Sequence, residues 1–83
     1  MNRQDIDTAM DEATRFLEAA NRWYARRGAD IVAHNARAAK TPSAWNQPIT
    51  ADDTRYDSGT VESGALRRAS LDLTRALARM RKP

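Results

Sequence analysis

Two stretches of this chain place apolar residues at alternating steps of three and four, and many of those residues are alanine. In the first, Ile6, Ala9, Ala13, Phe16, Ala20 and Trp23 repeat at steps of 3, 4, 3, 4 and 3. A parallel row of Ile6, Met10, Ala13, Leu17, Ala20 and Tyr24 widens that stripe, so both rows are expected to be buried. In the second stretch Leu66, Ala69, Leu73, Ala76 and Met80 keep the same spacing, with Leu77 beside them. Helical period on both sides of a proline-bearing gap predicts two amphipathic helices lying side by side through alanine-lined seams.

The size of the chain limits how much that seam can bury. Eighty-three residues make a single helical domain, 1–83, and a chain this short buries only about 60 to 65% of its unfolded surface. Leu, Ile, Val and Phe occupy 11 of 83 positions, a share typical of disordered chains. The small net charge of +3 and the alanine, which has the best helix propensity, argue instead for a folded helical protein of modest stability. A core with so few large side chains commonly needs a second copy or a partner, so a homo-oligomer is expected. The fold class is therefore all-α: an antiparallel helical hairpin with a long connecting loop, dimerising into a bundle.

Along the chain, the first helix is predicted over about 4–40. Asn2 is placed to cap it, with Asp5 three residues on in a capping-box-like position, and Glu18 and Arg22 are spaced to pair. Arg26-Arg27-Gly28 reads either as a helix end or as a small residue inside a longer helix. The apolar row continues in phase through Gly28 and Ile31 to Ala38, which favours one long helix that can bend at Gly28; the alternative is a fresh start capped by Asp30. Inside a helix the glycine costs about 1 kcal/mol relative to alanine.

Residues 41–57 show neither period, and Pro42 and Pro48 exclude a continuous helix, so this segment is expected to be a long connection. It carries Trp45, Ile49 and Tyr56. Trp45 and Ile49 are expected to clasp the helical pair; Trp45 is also the candidate apolar anchor for a partner, since tryptophan is over-represented among interface hot spots. The last helix is predicted over about 60–81, with Ser58, Thr60 and Ser63 as acceptable caps.

Charge is concentrated at one end. Residues 1–27 balance five arginines against five acids, and 28–60 sum to −1. From 61 to 83 six basic residues face Glu62 and Asp72, a local balance of +4. Arg67, Arg68, Arg75, Arg79 and Lys82 lie off the apolar stripe, and with Trp45 they are the candidate partner-binding residues. Arg68–Asp72 and Asp72–Arg75 are spaced to pair along the row, each pair worth under about 1 kcal/mol on an exposed helix. The bland reading of the row is a solvated face. The functional reading is a contact surface for another protein with an acidic surface.

Nucleic acid is the rival partner, because several arginines on one helix can neutralise phosphates. Against it stand the neutral first helix, the lack of a helix-turn-helix and the lack of aromatics among the basic residues. A basic amphipathic helix can lie on an acidic membrane, but here the stripe is largely alanine without Trp or Phe, so no membrane partner is expected. His34, the only histidine, is expected to be a surface residue, since one histidine with Asp30 does not make a metal cage. The adjacent acids Asp11 and Glu12, or Asp52 and Asp53, point in different directions, and no serine has a base or orienting acid in a recognisable setting. No catalytic residue, cofactor or metal is expected. The charged start lacks an apolar run, so neither a signal peptide nor a membrane span is read, and the cytoplasm of a bacterium or infected bacterial host is the expected location.

Arginine outnumbers lysine 12 to 2, a bias of GC-rich coding. With the size, the alanine, and the run from Ser63 to Leu77, Ser-Gly-Ala-Leu-Arg-Arg-Ala-Ser-Leu-Asp-Leu-Thr-Arg-Ala-Leu, the chain resembles the small helical early or accessory proteins of temperate phages of GC-rich proteobacteria. That resemblance implies a non-enzymatic inhibitor or regulator that binds a host or competitor protein. A structural or assembly subunit is the remaining alternative.

Overall fold

The computed structural model describes residues 1–44 and 46–82. Two helices carry the fold, α1 over Arg3–Lys40 and α2 over Val61–Met80, joined by a connection over 41–60.

Local signals account for where each helix begins and ends. Asn2 caps α1, its Oδ1 accepting from the Asp5 amide at 2.9 Å. The helix runs unbroken through Gly28, as the in-phase apolar row predicts. It stops at Thr41, whose amide donates to the Arg37 carbonyl; the next residue is Pro42, and the residue before a proline is disfavoured in helical conformation. At the start of α2 a full capping box forms. The Ser63 amide donates to Thr60 Oγ1 at 3.0 Å, and the Thr60 amide donates to Ser63 Oγ at 3.1 Å. Gly59 enters this cap with φ of 85°, a left-handed conformation that glycine adopts without steric cost.

The helices are antiparallel. The Met1 amino group donates to the Lys82 carbonyl at 2.7 Å, while Arg26 reaches Glu62 at 3.4 Å, so α2 starts near the middle of α1 and ends near its beginning. At 1.5 Å per residue α1 is about 57 Å long and α2 about 30 Å, which leaves the second half of α1 without a helical neighbour. The connection covers that half by running back along it. The result is a rod with principal extents of 59 × 18 × 16 Å.

The core is thin. Among the described residues only Ala9, Ala19, Ala38, Ala76 and His34 are buried, while Phe16, Trp23, Leu66, Leu73 and Leu77 are half-buried. Of the two apolar rows on α1, the one through Ala9, Phe16 and Trp23 packs on α2. The parallel row does not, contrary to the sequence expectation: Met10, Leu17 and Tyr24 are 63, 61 and 66% exposed. One helix on one side covers only part of so wide a stripe. Among the described residues Glu18 and Arg22 do not pair; the intrahelical pairs of α1 are Arg3–Asp7, Glu12–Arg15 and Arg26–Asp30. Among the described residues no helix is long and apolar enough to cross a membrane.

Candidate functional site

The basic residues of α2 separate into two places. Arg75 and Arg79 stand with Asp72 and Ala76 along one edge of the hairpin, where the groove between the helices is completed by Thr8 and Glu12 of α1. Arg68 belongs to the same side of α2, since 68, 75 and 79 are spaced by seven and four. Arg67 lies apart. It lines a cleft at the start of α2 with Trp23, Asp57, Ser58, Ser63 and Leu66. Lys82 follows the end of α2, its backbone tied to the Arg79 carbonyl at 3.3 Å. Trp45 lies outside the described residues.

The side chains of this set are largely unengaged. Arg67, Arg68, Arg75 and Arg79 are exposed. Asp72 and Arg75 approach to 4.0 Å, and the other pairing read along the row, Arg68 with Asp72, does not form within that distance. Among the described residues the side chains of Arg67, Arg68, Arg79 and Lys82 have no acidic or hydrogen-bonding partner. Glu12 at the floor of the groove pairs with Arg15 through Oε1 at 3.3 Å, and its Oε2 is buried without a partner. The edge therefore alternates free guanidinium groups with carboxylates.

A second group of residues, which periodicity did not single out, fixes the connection to α1. Arg27 is its centre. Nε meets Asp57 Oδ1 at 2.6 Å, Nη2 donates to the Asp53 carbonyl at 2.8 Å and also to the Ala51 carbonyl, and the guanidinium lies 5.8 Å over the Trp23 ring. Trp23 Nε1 donates to the Asp57 carbonyl at 3.0 Å. Further along, Asn35 holds Ile49 reciprocally: Oδ1 accepts from the Ile49 amide at 2.8 Å, and Nδ2 donates to its carbonyl at 3.0 Å. Ile49 is half-buried, and its backbone is what clasps α1.

His34 corrects the sequence expectation of a surface residue, for it is only 5% exposed. Its Nε2 lies 2.8 Å from the Gln47 carbonyl, which can only accept, so this nitrogen carries the hydrogen. In the neutral ring the Tyr56 hydroxyl, 3.1 Å away, then donates to Nδ1, and Arg37 donates to the hydroxyl oxygen at 3.4 Å. The partners are a backbone carbonyl and a distant tyrosine, neither of which marks His34 in the sequence. Asp53 also belongs to this region. The Arg55 amide and then the Arg55 guanidinium donate to its carboxylate and hold it below the ordinary carboxylate value of 3.8.

These contacts organise a scaffold, while the arginines along the outer edge of α2 are exposed. No protein-family model matches the chain, and no curated protein or solved structure matches it.

Proposed function

We propose that this protein acts without catalysis, as a phage-type inhibitor or regulator that binds a bacterial protein through the arginine face of α2. The observation that supports the reading is a contrast between two sets of arginines. Arg26, Arg27 and Arg55 are held by Asp30 and Glu62, by Asp57, and by Asp53, whereas Arg68 and Arg79 on the outer edge, like Arg67 apart from it, have no partner among the described residues. Holding long cationic side chains unpaired on one edge presents planar donor forks to an incoming carboxylate. An acidic protein surface is the partner chemistry such forks fit, and attraction of this kind speeds association at low ionic strength.

The alternation of charge along the edge favours a protein over nucleic acid. Asp72 lies between Arg68 and Arg75, and Glu12 faces Arg75 and Arg79 across the groove. Carboxylates there oppose a continuous phosphate backbone but leave room for discrete carboxylate pairs. The test is capture from a bacterial lysate with wild-type protein and with the Arg75→Glu/Arg79→Glu double variant, alongside circular dichroism. Loss of a captured protein with helicity retained is the expected result. Equal capture by both forms removes this face from consideration, and tight, steeply salt-dependent binding of generic DNA or RNA in fluorescence anisotropy moves the assignment to nucleic acid.

A further inference from the structure

The exposed apolar row of α1 has no occupant among the described residues. Ile6, Met10, Leu17 and Tyr24 run along about 27 Å of helix, interleaved with the half-buried Ala13 and Ala20, at the 4, 3, 4, 3, 4 spacing of a coiled-coil seam. From the geometry we infer that this seam takes a second copy of the same chain, packed α1 against α1 in antiparallel orientation, and that the edge of α2 with Arg68, Arg75 and Arg79 stays outside the contact.

Two observations select a copy of this chain as the occupant. The first is area. The protein exposes 6398 Å², roughly 1,400 Å² more than the roughly 5,000 Å² of a compact monomer with its mass of 9.3 kDa. A standard interface removes about 800 Å² from each partner, so pairing through this face removes more than half of that excess. The second is shape. Leu17 is flanked by Ala13 and Ala20, so an antiparallel copy sets Leu17 on Ala13 of the second copy and Met10 on Ala20, large against small with twofold symmetry, and closes each end with Tyr24 on Ile6. The contact also leaves the edge with Arg75 and Arg79 free: because Thr8 and Glu12 face those arginines on one edge of the hairpin, the opposite edge carries the seam.

The inference does not depend on the partner proposed above, and its readout is separate. Sedimentation of the wild-type chain across micromolar and submillimolar concentrations should show a monomer–dimer equilibrium. Leu17→Glu should weaken it by about a hundredfold, because it places unpaired carboxylates in the seam, with the far-ultraviolet spectrum unchanged. Met10→Glu, at the same seam, serves in its place if Leu17→Glu lowers helicity. Leu71→Glu, at a leucine 52% exposed on α2 away from the seam, should leave the dimer intact. A wild-type chain that stays monomeric throughout overturns the inference, as does a dimer that survives both seam variants or one that only Leu71→Glu disrupts.

Discussion

Arg27 does more than any other side chain to hold the connection against α1. Its side chain is 14% exposed, and it satisfies two backbone carbonyls and a carboxylate that 24 to 30 residues of chain separate from it. Hydrogen bonds to charged groups are worth about 1.5 to 3 kcal/mol, and truncation strands the acceptors. Arg27→Ala should therefore lower stability by about 2 kcal/mol, or roughly 10 °C in Tm for a domain this small. Amide exchange should quicken between residues 47 and 57 while the contact between α1 and α2 persists; an unchanged melting curve would refute the clamp. In the sequence Arg27 is one of a basic pair before a glycine. Nothing local marks it as a clamp, because backbone carbonyls are common to every residue and only the folded chain brings these three to one point. The same holds for His34, whose burial depends on Gln47 and Tyr56.

At the scale of elements, the helices are what local chemistry specifies best. The predicted ranges of about 4–40 and 60–81 differ from Arg3–Lys40 and Val61–Met80 by a single residue at an end, because caps, prolines and period all act within a few residues. Gly28 illustrates the logic. It sits inside α1 without a left-handed φ, and nothing lies within 4 Å of where a Cβ would be. Gly28→Ala should stabilise the protein by up to about 1 kcal/mol, measured as a higher denaturant midpoint with an unchanged slope. A lower midpoint would mean that the helix needs the glycine, through a bend or a close neighbour. The connection is the element that periodicity describes least. Its order comes from hydrogen bonds to α1, not from a repeating pattern of its own.

The whole molecule is a rod. Its radius of gyration over Cα atoms is 18.0 Å, against about 12 Å for a compact domain of this length. X-ray scattering from the monomeric Leu17→Glu variant should keep that elongation; a value near that of the compact domain would mean that the hairpin folds back on itself. The shape follows from pairing a 38-residue helix with a 20-residue one, which leaves half of α1 to the connection and one of its apolar rows to solvent. Two helices, their ends and the arginine row were all readable from spacing, since helical period and capping are properties of neighbours in sequence. Which of the two apolar rows of α1 meets α2, which arginines are held inside, and that the lone histidine is buried were decided by tertiary packing. Those outcomes depend on where α2 and the connection lie against α1, and residues tens of positions apart acquire that relation only when the chain folds.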